Sequence, residues 1–315
     1  MELFIQIIIL VFGFVLLVKG ADFFVDGAAG IAARFGIPQL IIGLTIVAMG
    51  TSAPETAVSI TAAFKGNADI SIGNVVGSNI MNVLVILGLA SVIVSIRVAK
   101  STVYYEIPFM ILITVVLLVL GLDGTVGRVD GMILWALFLL YLTYLLIMAK
   151  RNKEDEEETK DISILKALLY TVGGAVMIIL GSDFAVESAG TIAKMFGMSD
   201  RLIGLTIIAL GTSLPELVTS VSAARKGNAD IAIGNIVGSN VFNILFVIGT
   251  SALIIPIHFA SNFRMDAVIA TGAAILLLLC SIKNKKLDRF AGILMLMGYA
   301  GYFAYLLYSK MVWSV

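Results

Sequence analysis

The 315 residues are 60% apolar and only 13% charged. Soluble domains are about 45–50% apolar and about 25% charged, so this chain has too few polar side chains to cover a core of its size in water. The 21 basic and 21 acidic residues cancel, which excludes the basic surface that nucleic-acid binding requires. A single cysteine, Cys280, excludes a disulfide framework and a thiolate metal cluster. These features predict an integral membrane protein surrounded by lipid.

Ten segments are long and apolar enough to span a membrane, which takes about 20 residues. The predicted spans are 3–33, 39–64, 70–95, 103–122, 129–149, 164–195, 200–224, 231–255, 265–282 and 289–309. The first and sixth are longer than a bilayer requires, so we expect them to be tilted or to extend beyond it. The first has no basic flank or cleavage motif, and we interpret it as a retained helix rather than a signal peptide.

The basic residues are divided unequally among the predicted loops. With the central loop inside the cell, 14 Lys and Arg residues lie on the cytoplasmic side and 6 lie outside. Because cytoplasmic loops carry the excess of positive charge, we predict a multi-pass protein of the cell membrane with both termini outside. We interpret the acidic run 154–158 of the cytoplasmic loop as a solvated linker, with a regulatory cation site as the alternative.

An internal repeat relates the two halves of the chain. Residues 43–88 align without gaps to residues 204–249, with 29 identities in 46 positions at a constant offset of 161. Each half has five predicted spans, an odd number, so the second copy enters the membrane upside down. Inverted repeats place binding sites at their interface near the midplane. The predicted fold is an all-α polytopic membrane protein with ten transmembrane helices in two inverted five-helix repeats, residues 1–149 and 164–315, joined by a cytoplasmic linker at 150–163.

Glu55 and Glu216 occupy equivalent positions deep within two spans. Glu55 lies ten residues from Lys65, or about 15 Å along a helix, which is half of a hydrocarbon core of about 30 Å. A charge at that depth costs at least about 2.5–3.5 kcal/mol. A carboxyl held neutral by hydrogen bonds is the structural alternative, but two at symmetric depths indicate a function.

Each glutamate ends a motif that breaks a helix, since GTSAPE at 50–55 recurs as GTSLPE at 211–216. Proline cannot donate to the carbonyl four residues earlier, and glycine permits the distortion. The break therefore exposes carbonyls beside Thr and Ser hydroxyls, which a membrane tolerates only where the backbone lines a cavity or site. A simple proline kink is the alternative.

The following span of each repeat carries a polar stripe, because residues four positions apart share one helix face. The stripe residues are Asn74, Ser78 and Asn82, repeated as Asn235, Ser239 and Asn243. Gly73 and Gly77 are spaced for close helix packing. Carboxylates, hydroxyls, carbonyls and amides form an oxygen-only ligand set, which suits Ca²⁺, whereas zinc or copper favours His or Cys. We interpret Asp69 and Asp230, each at the end of a GNAD turn, as helix N-caps; vestibule ligands are the alternative.

These repeats resemble the alpha repeats of the sodium/calcium exchangers in the cation/calcium antiporter superfamily, particularly prokaryotic members. The motif match covers 43–88 and 204–249, and the ten-span plan extends it to the whole chain. The resemblance implies an electrogenic antiporter that moves Ca²⁺ and Na⁺, needs no cofactor and requires no obligate protein partner. It also implies that the long first and sixth helices slide across the others. An enzyme is not expected, since HExxH, GxGD and GxSG are absent and no histidine accompanies Ser52 or Ser213.

The resemblance also implies roles for individual residues. Glu55 and Glu216 would bind Ca²⁺ and share the Na⁺ sites, and Thr51 and Thr212 would contribute oxygens to Ca²⁺. The remaining ligands would be Ser52, Ser213, Ser78, Ser239 and the carbonyls of Ala48 and Ala209 at the flanking Na⁺ sites, with Asn82 and Asn243 at the midpoint beside the glutamates.

Two departures from related families bear on the coupling ion. Potassium-dependent exchangers carry an aspartate where this sequence has Asn243, so no K⁺ requirement is expected. Cation/proton members carry GNxxE, and Gly77 and Gly238 stand at the position of that glutamate. This disfavours a Ca²⁺/H⁺ antiporter, which stays open as the alternative because buried glutamates can titrate. A passive cation channel is the third possibility.

Overall fold

The computed structural model describes residues 2–66, 69–151, 163–197 and 209–313, and these residues are almost entirely helical. The α-helices are α1 (Glu2–Phe35), α2 (Gln39–Ile42), α3 (Ala48–Thr51), α4 (Ala53–Phe64), α5 (Asp69–Met81), α6 (Gly88–Ile93), α7 (Ile107–Leu120), α8 (Arg128–Arg151), α9 (Ile164–Met195), α10 (Ala209–Thr212), α11 (Leu214–Arg225), α12 (Ala229–Phe242), α13 (Gly249–Ile254), α14 (Ser261–Ile282) and α15 (Arg289–Trp313). π-Helical turns occupy Gly43–Val47, Asn82–Leu87, Thr102–Glu106 and Asn243–Ile248.

The predicted all-α polytopic fold is confirmed. Within the described residues, seven helical stretches are long and apolar enough to span a membrane, and the bent pair Gln39–Thr51 and Ala53–Phe64 makes an eighth. The other two predicted spans correspond to α11, whose region is described only from Ala209, and to α15. The first and sixth spans form the long helices α1 and α9, of 34 and 32 residues.

The chain divides into two compact units, and each draws on both halves of the sequence. The first unit contains residues 1–58 and 136–242, and the second contains 59–135 and 243–315. The repeat boundaries at 149 and 164 follow the sequence rather than this division. Most of the predicted linker, residues 152–162, lies outside the described residues.

The first unit is built on the long antiparallel helices α1 and α9, which touch backbone to backbone. Gly13, Gly20 and Gly27 recur every seventh residue along α1 and face α9. A Cβ at Gly20 would lie 2.9 Å from the backbone nitrogen of Ile178, and one at Gly27 would lie 2.5 Å from that of Thr171. We call this contact the glycine seam. Its closeness leaves no room for larger side chains.

Helix α12 runs through the interior of the first unit, and all its residues from Ile231 to Phe242 are buried. A Cβ at Gly234 would lie 2.9 Å from the carbonyl oxygen of Leu40, and one at Gly238 would lie 2.7 Å from Leu44 Cα. The two glycines thus let α12 cross the second span closely, as expected for small residues spaced four apart. The same packing predicted for Gly73 and Gly77 is wrong, since a Cβ at Gly77 would meet no described atom within 4 Å and one at Gly73 would make only an ordinary contact with Phe263.

The predicted N-cap role of Asp230 is wrong, because α12 begins at Ala229 and Asp230 lies within its first turn. At that position the negative charge interacts favourably with the helix dipole. The Asp69 side chain lies outside the described residues.

The second unit adds four two-residue strands, which the sequence analysis did not anticipate. β1 (Ile96–Arg97) pairs antiparallel with β4 (Lys286–Leu287), and β2 (Thr125–Val126) pairs antiparallel with β3 (Ile257–His258). We call these pairs the strand clasps. They join the loops before and after α7 to loops of the other half of the sequence.

Candidate ion-binding site

The helix breaks predicted at the two GTSxPE motifs are both present. The second span bends by 52° between Thr51 and Ala53. Ser52, at the bend, has φ −82° and ψ 12°, and its repeat equivalent Ser213 has φ −91° and ψ 3°. The two serines therefore share one non-helical backbone conformation, so the inverted copies place their hydroxyls and the following glutamates in the same local geometry.

The two glutamates are buried in the first unit, each with 1% of its surface exposed. Ser52 Oγ donates to Glu216 Oε1 at 2.9 Å, and Thr51 interacts with the same carboxylate. Reciprocally, the side chains of Thr212 and Ser213 interact with Glu55. Each carboxylate is thus met by the Thr-Ser pair of the other repeat, and the six residues form one polar cluster.

Asn235, from the stripe on α12, holds the parts of this cluster together. Its Oδ1 accepts a hydrogen bond from Thr51 Oγ1 at 2.9 Å, and its Nδ2 donates to Ser220 Oγ at 2.9 Å and to the backbone carbonyl of Glu216 at 3.4 Å. All of these side chains are buried. The amide therefore fixes the positions of a predicted ligand from one repeat and the glutamate of the other.

Ser220 is a structural partner that the sequence analysis missed. In the second unit its repeat equivalent, Ser59, accepts a hydrogen bond from Asn74 Nδ2 at 2.9 Å, so the Asn–Ser bond occurs in both copies. A signal was available, because each serine lies four residues after a site glutamate, on the same helix face, and is identical at the offset of 161.

Ser239 and Ala48, both predicted at a flanking Na⁺ site, are brought together in the first unit. Ser239 Oγ donates a long hydrogen bond to the carbonyl oxygen of Ala48, at 3.4 Å. Oxygens that bind one cation at about 2.3–2.6 Å at right angles are separated by roughly 3.3–3.7 Å, so this pair can share an ion. Ala209 begins α10, and its side chain lies outside the described residues.

The second unit contains Ser78, Asn82 and Asn243, all predicted ligands and all buried. Asn82 and Asn243 each begin a π-helical turn, at Asn82–Leu87 and Asn243–Ile248. Asn243 Nδ2 donates to Asn79 Oδ1 at 3.1 Å, which pairs the third span with the eighth. The placement of Asn82 and Asn243 beside the glutamates stays a prediction.

Among the predicted ligand oxygens, Glu216 Oε2 and Asn243 Oδ1 are buried and receive no hydrogen bond from any residue that the structure describes. Buried polar oxygens normally have a partner, and a cation can take that place. No three His, Cys, Asp or Glu side chains cluster in the described ranges, so the ligands available there are mainly hydroxyl, amide and carbonyl oxygens around the glutamates, a set that suits Ca²⁺ or Na⁺.

Comparison with known proteins identifies the family. The family model described as "Sodium/calcium exchanger protein" matches residues 5–147 and 166–308, once in each half. CaxA of Alkalimonas amylolytica is 40% identical over 310 residues, which cover 95% of this chain and 97% of CaxA. The sodium/calcium exchanger MaX1 of Methanosarcina acetivorans is 35% identical over 347 residues, which cover 96% of this chain and 99% of MaX1.

A solved structure agrees along nearly the whole length. The sodium-calcium exchanger NCX_Mj, soaked with Na⁺ and Sr²⁺, superposes with a TM-score of 0.85 at 32% identity, over 96% of this chain and 99% of that one. The repeat, the buried glutamates and these matches lead to one assignment: the chain belongs to the sodium/calcium exchanger protein family.

Proposed function

We propose that this protein exchanges Ca²⁺ for Na⁺ across the membrane by alternating access, through one site built on Glu55 and Glu216. The observation that carries the proposal is the reciprocal arrangement in which each carboxylate is met by the Thr-Ser pair of the other repeat. The relatives MaX1 and NCX_Mj are both sodium/calcium exchangers, which supports this choice of ions.

The charge of the site explains why the two ions exchange. A buried carboxylate at the bilayer midplane costs at least about 2.5–3.5 kcal/mol, so two of them favour a state in which cations are bound. One Ca²⁺ neutralises both carboxylates, and Na⁺ ions neutralise them in turn. Since either load uses the same oxygens, the ions compete for the site, and the movement of one is coupled to the counter-movement of the other.

The individual ligands that we propose are those that the resemblance to the sodium/calcium exchangers implies, and two unpaired oxygens support the assignment. Glu216 Oε2 and Asn243 Oδ1 receive no hydrogen bond from the residues described, and a buried oxygen without a partner is costly inside a membrane. We assign Thr51 and Thr212 to Ca²⁺. The proposed Na⁺ ligands are Ser52, Ser213, Ser78, Ser239 and the carbonyls of Ala48 and Ala209, with Asn82 and Asn243 at the midpoint.

The proposed exchange is electrogenic and independent of K⁺. Electrogenic coupling means that the Na⁺ charge moved in one direction exceeds the Ca²⁺ charge moved in the other, so an imposed membrane potential changes the rate. Asn243 carries an amide, and no third carboxylate is supplied at this position for K⁺. We also propose the orientation with both termini outside and the central acidic loop in the cytoplasm, which rests on the Lys and Arg distribution.

The coupling ion is tested with the purified full-length protein in liposomes. Uptake of radioactive Ca²⁺ is measured while Na⁺, K⁺ and pH gradients are imposed separately. Uptake should follow an outward Na⁺ gradient, respond to membrane potential and ignore K⁺. Uptake driven by a pH gradient without Na⁺ would identify Ca²⁺/H⁺ antiport instead, and uptake that needs no counter-ion would identify a passive channel.

The site is tested with charge-neutralising variants in the same assay. Glu55→Gln and Glu216→Gln should each lower Na⁺-driven uptake about 100-fold or more, because removing one partner of a buried ion pair costs at least about 3 kcal/mol. Glu106→Gln is the matched control, since Glu106 is also 1% exposed but lies in the π-helical turn Thr102–Glu106. Normal exchange by both site variants would contradict the shared site.

A further inference from the structure

The second helix break is held by a hydrogen bond from the long helix α9. Ser182 Oγ donates to the backbone carbonyl of Gly211 at 2.9 Å, and Ser182 is buried. Gly211 immediately precedes Thr212, whose side chain interacts with Glu55. Helix α9 is thus connected to a predicted Ca²⁺ ligand through one peptide unit.

The carbonyl of Gly211 needs such a partner because of the break itself. Pro215, four residues further on, has no N–H and cannot donate the usual helical hydrogen bond. Leaving a backbone carbonyl without a partner inside a membrane costs several kcal/mol. The glycine also lets α9 come close, since a Cβ on Gly211 would overlap the side chain of Val186 on α9. Ser182 therefore supplies to the carbonyl of Gly211 the hydrogen bond that Pro215 cannot donate.

The first repeat meets the long helices differently at the equivalent place. The offset of 161 puts Ala21 of α1 at the position of Ser182, and a methyl group cannot donate. Gly50, the equivalent of Gly211, is covered instead by the ring of Phe24, whose Cζ would lie 2.8 Å from a Cβ at Gly50. The contact at the first break is apolar, whereas the contact at the second break is a hydrogen bond.

Two further polar contacts connect α1 to the second repeat. Ser222 Oγ on α11 donates to Asp22 Oδ1 on α1 at 2.6 Å, and Lys226 Nζ donates to Asp26 Oδ1 at 2.7 Å. Both long helices therefore make polar contacts with the broken helix of the second repeat. The glycine seam packs these two helices against each other.

We propose that Ser182 is a positioning residue that couples the α1/α9 pair to Thr212 and biases the balance between the two alternating-access states. In an inverted repeat the two copies exchange roles between states, so a bond that only one copy can form stabilises only one state. Loss of a typical net hydrogen bond should change the ratio of the states about fivefold, which is about 1 kcal/mol at about 1.4 kcal/mol per tenfold. The inference rests on the proposed function.

The test measures the half-saturating Ca²⁺ concentration separately at each membrane face, in right-side-out and everted vesicles from the same cells. Since apparent affinity scales with the fraction of protein open to that face, the ratio of the two values should shift about fivefold in Ser182→Ala. Ser182→Thr keeps the hydroxyl and should restore the ratio. Ser188→Ala, at another buried serine of α9, should leave the ratio unchanged.

A structural role alone would give a different result. Ser182→Ala would then lower the temperature of unfolding and leave the ratio at the wild-type value, which would overturn the inference. If Ser182→Ala does not fold, Ser182→Cys is measured instead, because its thiol is nearly isosteric with the hydroxyl but only a weak donor. A ratio shifted in the same direction supports the inference, and a wild-type ratio overturns it. If the wild type shows no Na⁺-driven uptake, the proposed function fails. The bond is then judged by amide hydrogen exchange of peptides covering 209–217, which should quicken in Ser182→Ala and not in Ser188→Ala; equal exchange refutes it.

Discussion

A single methyl group at Gly174 tests whether the glycine seam holds α1 and α9 together as one body. A Cβ there would lie 2.5 Å from the backbone nitrogen of Phe24 and 2.7 Å from the carbonyl oxygen of Gly20. Neither atom can rotate away, and ordinary contacts of carbon are about 3.5–4.0 Å. Gly174→Ala must therefore push the helices apart by about 1 Å. The adjacent Gly173 is the matched control, because a Cβ there would meet no atom within 4 Å.

The expected difference between the two variants is the cost of overpacking alone. Replacing glycine by alanine inside a helix stabilises it by roughly 0.5–1 kcal/mol, and this gain is common to Gly173→Ala and Gly174→Ala. Overpacking a close contact costs about 1–3 kcal/mol, and only Gly174→Ala incurs it. A change of 1 kcal/mol shifts the unfolding temperature of a larger domain by roughly 2 °C. Gly174→Ala should therefore unfold about 2–6 °C below Gly173→Ala.

Both variants are purified in the same detergent, and their thermal unfolding is followed by intrinsic fluorescence under identical conditions. Na⁺-driven Ca²⁺ uptake is measured in parallel, and it should fall in Gly174→Ala and stay near the wild-type rate in Gly173→Ala. An unfolding temperature for Gly174→Ala equal to or above that of Gly173→Ala would refute the reasoning, because it would mean that the helices do not bear on each other at this point.

Three further variants test contacts around the site. Ser52→Ala removes the bond to Glu216 and should raise the half-saturating Ca²⁺ concentration about 10- to 100-fold, as expected for a hydrogen bond to a charged group; Ser91→Ala, whose hydroxyl bonds within its own helix, should leave it unchanged. Asn235→Ala removes the hydrogen bonds of this amide to Thr51, to Ser220 and to the carbonyl of Glu216, and it should lower the free energy of unfolding by about 1–3 kcal/mol in denaturant titrations. Lys226→Gln breaks the partly exposed ion pair with Asp26 and should lower the free energy of unfolding by at most about 1 kcal/mol. The difference from the wild type should vanish in 1 M salt, where the screening length is about 3 Å.

The centre of the candidate site could be predicted because the sequence states it twice. Glycine, proline and glutamate recur at the same spacing in both halves, and the structure bends the second span at Ser52 and gives Ser213 the same backbone conformation. A helix break depends only on residues close together in the chain, such as a proline that has no N–H to donate, and it can therefore be predicted from the sequence. The long helices α1 and α9 follow from apolar length in the same way.

Contacts between the two copies could not be predicted by the same means. The alignment relates Ser52 to Ser213, whereas the structure bonds Ser52 to Glu216, 164 positions away. That pairing depends on how two helices cross, which the spacing within either helix does not contain. Ser182 was missed because its partner is a backbone carbonyl on another helix. The four strands could not be predicted because a strand of two residues is too short to show an alternating pattern of apolar and polar residues.

The strand clasps bear on how a chain of this kind could have arisen. The offset of 161 relates β1 to β3 and β2 to β4, so the pairing of β1 with β4 and that of β3 with β2 are the same contact made twice. Each repeat supplies both kinds of strand. Two separate copies of one ancestral repeat, placed in opposite orientations, would therefore have formed both clasps as a symmetric dimer. Gene duplication and fusion would have preserved that interface, and the covalent linker would only have made it permanent.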